Sequence, residues 1–215
     1  MQLLIDQQRL AKALQIVGRV ASRRPVTPAV SAVVIEAAHG RITLRATDLQ
    51  STAEIVLDAE VHASGAVAVT ARTLASIVST LPGGDVVLSS SGSGESLRLT
   101  SGSSAFRLQT LDASDFPQVA RPARVDLYIQ ADHLIELIAH TTFCAVDSEE
   151  ASPFPGVQVS GGEAWLEMAA TDSYQLAHYR LPAVLAREAS PGEAARKAVL
   201  PTSALNSFAK ALQLF

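Results

Sequence analysis

The sequence predicts an α+β fold of two tandem domains, each a duplicated strand–helix–three-strand unit. Helical and strand patterns alternate in that order over the first 111 residues, and the same order begins again after residue 123. The 215 residues are enough for two domains of about 100 residues each. Tandem domains of this kind place helices on one side and antiparallel sheets on the other.

In the first half, helices are predicted from apolar residues that recur at helical spacing. Residues 8–21 carry Leu10, Leu14 and Val17 on one face, and two prolines then end the helix. Residues 72–82 form a second amphipathic helix. Strands are predicted from alternating polar and apolar residues at 2–7, 31–38, 41–48, 52–61, 65–71, 85–91, 96–101 and 105–111.

The second half repeats this pattern after a segment, residues 112–123, whose proline, aspartate and alanine content predicts a linker. A helix is expected at 132–145 with Asp132 as its N-cap, and another at 203–214 capped by Thr202 or Ser203. Strands are expected at 125–130, 155–162, 164–172, 174–181 and 197–202.

A constant spacing links the two halves. The residues Leu10, Leu14, Thr47, Asp48 and Leu57 correspond, 124 positions later, to Leu134, Ile138, Thr171, Asp172 and Leu181. This predicts a tandem duplication, with a first domain at 1–120 and a second at 121–215. By analogy with the first domain, the second is expected to lack its last three strands, and its sheet to show an unpaired edge.

Composition narrows the function classes. The chain is 48% hydrophobic and 18% charged, which is typical of a folded domain with a substantial core. The formal net charge of −4 gives no overall basic character, although a basic lining could still lie on an acidic body. The single cysteine, Cys144, cannot form an intramolecular disulfide, and the N-terminus has no signal-peptide pattern. These features predict a cytoplasmic protein without a membrane span.

Catalysis and metal binding are not predicted. The five histidines are scattered, with no cysteine or carboxylate set at metal-ligand spacing. Phosphate-loop, nucleophile-elbow and dinucleotide patterns are missing from the sequence. The Ser/Gly-rich stretch 89–96 joins two predicted strands and does not precede a helix, so a flexible hairpin loop is expected there. We therefore expect neither an enzyme nor a cofactor.

Several motifs resemble one family. The stretches RRPVTPAV, LRATDLQ, VTARTLASIVSTLP, SSAFRLQTLDASDFP and AATDSYQLA follow the order seen in the bacterial DNA polymerase III beta subunit, the sliding clamp. The resemblance implies tandem DNA-clamp domains with DNA-facing helices. It also implies a head-to-tail dimeric ring of six domains around duplex DNA, of which this chain matches the first and most of the second; the third is absent. Family members tether the DNA polymerase III catalytic subunit, are opened by a clamp loader, and work at the nucleoid.

The resemblance also implies DNA-binding residues. Arg24 falls at the family's DNA-contacting arginine, and Arg23, Lys12, Arg19 and Arg72 lie near it on or beside the predicted helices. The alternative is that these are ordinary solvated cations of a helix surface. The first helix of the second domain departs from the pattern. It has no lysine or arginine and contains Asp132 and Glu136, for which Lys197 and Lys210 only partly compensate.

A partner-peptide pocket is implied where family partners insert a short Gln-Leu peptide. The positions that fall on it are Phe154, Thr171, Ser173, Tyr174, Gln175 and Leu176. The family commonly has Gly, an aromatic or His, and Arg where this chain has Ser173, Tyr174 and Gln175, so a charged bidentate donor is lost. The alternative is that Thr171 and Asp172 bond their own turn, which is the interpretation we favour for Thr47 and Asp48.

The last strand of the first domain, with Phe106, Arg107 and Leu108, falls at the family's subunit interface. Without a third domain, the chain is expected not to close the usual dimeric ring. The terminal ALQLF resembles a clamp-binding peptide, but the end of an amphipathic helix explains it better. The alternative function is a clamp-derived remnant or protein-interaction module that does not encircle DNA.

Overall fold

The computed structural model describes residues 1–21, 27–49, 51–90, 95–117, 127–146, 155–162, 164–185 and 196–213. Contacts divide the chain into two compact units, Met1–Val119 (unit 1) and Ala120–Phe215 (unit 2).

In unit 1, two helices are held side by side. The helices are α1 (Gln7–Val20) and α2 (Ala71–Thr80). Asp6 caps α1 by accepting a hydrogen bond from the Arg9 N–H at 2.9 Å. The buried Gln7 amide donates to the Val78 carbonyl at 2.6 Å and so ties the two helices together.

The strands of unit 1 form two antiparallel sheets under these helices. In chain order they are β1 (Gln2–Asp6), β2 (Ala32–Ala38), β3 (Arg41–Thr47), β4 (Thr52–Asp58), β5 (Glu60–Ala63), β6 (Gly65–Thr70), β7 (Asp85–Ser90), β8 (Ser96–Ser101) and β9 (Ser104–Gln109). One sheet has the order β5-β1-β7-β8-β9 and the other β4-β3-β2-β6. Apolar residues such as Leu10, Leu14 and Leu74 fill the core between helices and sheets and are fully buried.

The single strand predicted at 52–61 is wrong, because the structure has two strands there in different sheets. β4 pairs with β3, whereas β5 pairs with β1. The chain passes from one sheet to the other at Ala59, whose N–H donates to the Gly40 carbonyl at 3.0 Å. The alternation of side chains continues through the crossing and therefore gives no local sign of it.

Half of the predicted linker belongs to unit 1. Residues 113–115 form a short 3₁₀ helix, with Asp112 accepting from the Ser114 N–H at 2.8 Å. The Leu111 N–H donates to the Ala68 carbonyl at 2.8 Å, and Phe116 is buried. This segment therefore packs on the outer face of the β4-β3-β2-β6 sheet and is not a free linker.

Unit 2 has the same kinds of elements. Its helices are α3 (Ala131–Ala139) and α4 (Thr202–Leu212). Its strands are β10 (Leu127–Tyr128), β11 (Val157–Gly161), β12 (Trp165–Thr171), β13 (Leu176–Pro182), β14 (Val184–Leu185) and β15 (Arg196–Leu200). They form a sheet of order β13-β12-β11-β15 and a pair β10-β14. Leu137, Ile138 and Val157 lie at the centre of its core.

The helix ends of unit 2 differ from the predictions. Gln130 occupies the N-cap position of α3, so Asp132 lies in the first turn, where a negative charge still favours the helix. Pro201 precedes α4, so neither Thr202 nor Ser203 is its cap. α3 ends at Ala139, earlier than predicted, because the hydroxyls of Thr141 and Thr142 donate to the Leu137 and Ile138 carbonyls and compete with further helical turns.

The tandem repeat is confirmed down to strand register. β3 and β12 begin at Arg41 and Trp165, and β4 and β13 begin at Thr52 and Leu176, in both cases 124 residues apart. The cross-strand pairs Val34–Arg45 and Gln158–Ala169 are related by the same spacing. From β6 to β15 and from α2 to α4, the spacing is 131. Equivalent positions in the two units can therefore be compared side chain by side chain.

Candidate DNA-facing helices and partner groove

The outward helix face of unit 1 carries the described cations that the sequence analysis selected for DNA binding. The apolar side of α1 is buried, which leaves Lys12 and Arg19 exposed on the opposite side. Arg72, in the first turn of α2, is exposed as well. All three line one cavity of about 900 Å³ between the two helices. Arg23 and Arg24 lie outside the described residues.

This face has a uniform sign of charge. α1 and α2 contain no acidic residue, and within the described part of the chain Lys12, Arg19 and Arg72 take part in no salt bridge. Small residues, among them Ala11, Gly18 and Ala75, form much of the cavity wall. A groove lined by small residues and by cations that form no salt bridge within the described residues suits a run of phosphates.

The helix face of unit 2 has a different charge. α3 carries Asp132 and Glu136 and no lysine or arginine, while α4 carries Lys210. Lys197 lies on β15, in the sheet rather than on the helices. The two helix faces are thus equivalent in backbone but opposite in charge.

The residues assigned to a partner pocket lie at the turn between β12 and β13. Thr171 and Leu176 line an apolar groove of about 580 Å³, and Tyr174 is 94% exposed beside them. Ser173, Tyr174 and Gln175 are turn residues and are not part of the groove lining, and Phe154 lies outside the described residues. The sequence analysis missed the remaining lining residues, which are Pro155, Gly156, Gln158, Ala169, Ala170 and Val199. The alternation in β12 could have indicated Ala169, because it lies on the same face as Thr171.

The turn itself is held by Thr171 and Asp172. The Thr171 hydroxyl donates to the Gln175 carbonyl at 2.7 Å, and the Asp172 carboxylate accepts from the N–H groups of Gln175 and Tyr174. These two N–H groups, Gln175 first, lower the pKa of Asp172 below its ordinary value. Ser173 has a φ of 76°, in the left-handed region.

The equivalent turn of unit 1 has the same bonds. Thr47 donates to the Ser51 carbonyl at 2.8 Å, Asp48 accepts from the Ser51 N–H at 2.6 Å, and Leu49 also has a φ of 76°. Thr47 is buried, in agreement with the structural role preferred for it above. The Thr-Asp pair is therefore a turn-forming device in both units, and the groove beside it distinguishes unit 2.

The predicted interface strand, β9, is an edge strand, paired with β8 on one side. Phe106 and Arg107 are exposed on it, whereas Leu108 packs partly against the core. An exposed edge with an apolar side chain is able to add a further strand.

Other candidate chemistry finds no support in the part of the chain that the structure describes. Cys144 is buried, and its thiol donates to the Ala170 carbonyl at 3.3 Å, as a core cysteine does. In the described ranges no group of three potential metal ligands is found. None of the described helices is long and apolar enough to cross a membrane.

Paired helices over antiparallel sheets, repeated in tandem, define the class of protein as a DNA-clamp fold. Among solved structures, the pol III beta of Caulobacter crescentus is similar over 99% of this chain and 58% of its own, with a TM-score of 0.87 and 31% identity. The DNA polymerase III subunit beta of Pseudomonas aeruginosa is similar over 99% and 57%, with a TM-score of 0.88 and 27% identity.

Sequence comparison leads to the same family. The family model for the DNA polymerase III beta subunit, N-terminal domain, matches residues 1–120, and this chain belongs to that family. The beta sliding clamp of Synechocystis is 33% identical over 90% of this chain and 51% of its own length. That of Caulobacter vibrioides is 34% identical over 89% and 53%. The chain thus spans about half the length of the curated relatives it matches.

Proposed function

We propose that this chain is a sliding-clamp subunit, a processivity factor that encircles duplex DNA without reading its sequence. The observation that supports this proposal is the helix face of unit 1. There Lys12, Arg19 and Arg72 line one groove, and neither helix has an acidic residue. Membership of the beta-subunit family supports the same role. The role requires weak phosphate contacts that permit sliding, and no catalytic group.

The direct test is retention on circular DNA. Nicked circular DNA is attached to beads, and the protein is loaded onto it with a clamp loader. The beads are washed, and the DNA is then linearised. A clamp stays on the circle and is released by linearisation. Loss from the circle at the first wash would contradict the proposal.

The contribution of the helix face can be tested separately with linear duplex DNA. Each of Lys12→Ala, Arg19→Ala and Arg72→Ala is expected to reduce the slope of log K against log salt by about 0.9, the value for one phosphate contact. Arg98→Ala is the matched control, because Arg98 is exposed on β8 and not on the helices. An equal change with Arg98→Ala would contradict the assignment.

The groove of unit 2 is proposed as the docking site for partner peptides, including those of the replicative polymerase and the clamp loader. Leu176 and Val199 border it and are 74% and 63% exposed, so apolar surface is available to a partner side chain. Leu176→Ala is expected to weaken binding of a labelled Gln-Leu-containing peptide by about tenfold. The control is Leu49→Ala, at the exposed turn of unit 1. Equal binding by both variants would exclude the groove.

The edge strand β9 is proposed as a subunit contact through Phe106, Arg107 and Leu108. Phe106→Asp should lower the weight-average mass in light scattering if copies or partners pair along this edge. An unchanged mass would remove β9 from the interface. Function at the nucleoid in the cytoplasm is part of the same proposal.

A second candidate function is a clamp-derived interaction module that does not encircle DNA. The observation that favours it is the acidic helix α3, which lacks the cations of α1. Such a module would bind the labelled peptide but would fail the circular-DNA assay. The two assays together therefore separate the candidates.

A further inference from the structure

Of the three cation positions on the helix face of unit 1, one carries the opposite charge in unit 2. Lys12 of α1 and Glu136 of α3 are equivalent, because both helices, like the strands that follow them, are related by 124 residues. Lys12 is exposed at the groove of unit 1. The repeat thus exchanges a cation for an anion at the same place on the same fold.

Glu136 is held in place by neighbouring side chains. The Tyr179 hydroxyl on β13 donates to Glu136 Oε1 at 2.6 Å, and the Tyr179 ring packs against the ring of His140 at a centroid distance of 4.6 Å. In unit 1 the positions of His140 and Tyr179 are occupied by Ile16, which is buried, and by Ile55, which packs against the apolar core. Unit 2 therefore has polar side chains where unit 1 has apolar ones, and the Tyr179 hydrogen bond fixes the carboxylate at the junction of α3 and β13.

The charged residues of the two helix faces differ in the same sense as Lys12 and Glu136 do. α1 and α2 carry Arg9, Lys12, Arg19 and Arg72 and no acidic residue. α3 and α4 carry Asp132, Glu136 and Lys210. A carboxylate within about 8 Å of a phosphate disfavours binding roughly two- to threefold in water, before salt screening.

We propose that Glu136 is a specificity-determining residue that prevents the helix face of unit 2 from binding DNA phosphates. The phosphate contacts of the helix faces are then confined to unit 1. The inference rests on the proposed function. It also makes a claim that the proposed function does not contain, namely that unit 2 gains a phosphate contact when the residue of unit 1 is restored.

The experiment measures binding of a labelled linear duplex by anisotropy over a series of NaCl concentrations. Glu136→Lys is expected to make the slope of log K against log salt steeper by about 0.9, and to tighten binding at low salt about fivefold. Glu136→Gln, which keeps an acceptor for Tyr179, is expected to tighten binding about twofold without adding a full contact to the slope.

Two controls separate this effect from general causes. Tyr179→Phe loses the same hydrogen bond as Glu136→Lys but keeps the carboxylate, and should leave the slope unchanged. Glu60→Lys makes the same change in net charge on the sheet strand β5, where the Glu60 side chain is 66% exposed, and should also leave the slope unchanged. Each variant is first shown to be folded by circular dichroism.

The outcomes are distinct. Binding by the unmodified chain together with an unchanged slope in Glu136→Lys would overturn the inference and leave the proposed function standing. An equal gain in Glu60→Lys or Tyr179→Phe would also overturn it. No DNA binding by the unmodified chain at any salt concentration would overturn the proposed function and this inference with it. If Glu136→Lys fails to fold, the inference is tested by the twofold tighter DNA binding expected of Glu136→Gln. Unchanged binding in that variant overturns the inference.

Discussion

The outer face of the four-stranded sheet carries different side chains in the two units. In unit 1 it is covered by the chain itself, since Leu111 bonds the backbone of Ala68 and Phe116 packs beside Ala32. In unit 2 the equivalent positions of β11 and β15 line the open groove. The same frame therefore carries different side chains on this face in the two units.

The side chains at equivalent positions of this face differ between the two units. Ala32 and Val34 of unit 1 become Gly156 and Gln158 in unit 2, and Ala68 becomes Val199. Small buried residues make room for Phe116 in unit 1, whereas the larger Val199 lines the groove in unit 2. The comparison teaches that two repeats can keep the same strand pairing while equivalent positions carry different side chains.

The largest expected effect concerns Gly156. Its φ is +85°, and a Cβ there would meet the Leu200 carbonyl oxygen at 2.7 Å, whereas Ala32 at the equivalent position has a φ of −89°. Gly156→Ala should lower the free energy of unfolding of unit 2 by about 3 kcal/mol, from left-handed strain and displacement of β15. Urea unfolding followed by fluorescence of Trp165, the chain's one tryptophan, measures this.

Gly18→Ala is the matched control for that substitution. A Cβ at Gly18 has open space around it inside α1, so the change should stabilise unit 1 by about 1 kcal/mol. A neutral Gly156→Ala would mean that the two repeats do not differ in backbone at this position.

The next effect tests whether the covered face is core. Phe116→Ala should destabilise unit 1 by about 2–4 kcal/mol, because it removes a buried aromatic ring. Leu176→Ala, on the open groove, should change stability by less than about 0.5 kcal/mol, since the side chain is 74% exposed. Thermal unfolding by circular dichroism compares the two variants. Similar losses in both would erase the distinction between covered and open faces.

A smaller effect is expected at the two Thr-Asp turns. Thr47→Val should cost about 1–3 kcal/mol, because the buried hydroxyl also accepts from Leu49 N–H at 3.1 Å and Thr52 Oγ1 at 3.0 Å. Thr171→Val should cost about 0.5–1 kcal/mol, because water can reach the half-buried turn. Urea unfolding gives both values, and Thr47→Ser, which keeps the hydroxyl, should recover most of the loss. The reverse order of costs would show that the turn of unit 2 is the more structural one.

Sequence patterns predicted the helices and the repeat, because the local spacing of apolar residues such as Leu10 and Leu14 shows which face of a helix is buried. They did not predict the strand break at Ala59, since pairing with β3 or β1 depends on distant partners. Nor did they predict that Phe116 is buried, because a proline-rich stretch looks the same whether it is free or packed. Thr171 and Leu176 were assigned to a partner pocket from the sequence and line the groove, whereas Gly156 and Val199 join them only because the fold brings β11 and β15 together.

The smallest effect concerns the response to acid of Glu167, a carboxylate on the outer sheet face of unit 2 that has an uncharged counterpart in unit 1. The Arg180 guanidinium, and after it His178, lower the pKa of Glu167 below 4.5, with Arg180 Nε donating to Glu167 Oε2 at 3.0 Å. The folded state therefore favours the charged carboxylate. Its contribution to stability is present above pH 4.5 and is lost as the pH falls through the lower folded pKa. The equivalent residue of unit 1 is Thr43, which carries no charge.

Glu167→Gln should therefore remove part of the acid sensitivity of unit 2 while costing some stability at neutral pH. The measurement is the urea midpoint from about pH 7 to about pH 3, read from Trp165, whose ring lies 4.2 Å from the Arg180 guanidinium carbon. Asp132→Asn, which removes an exposed carboxylate of α3, is the control for the loss of one negative charge from unit 2. If Glu167→Gln and the unmodified chain lose stability in parallel on acidification, the Glu167–Arg180 pair is an exposed ion pair that contributes no measurable stability.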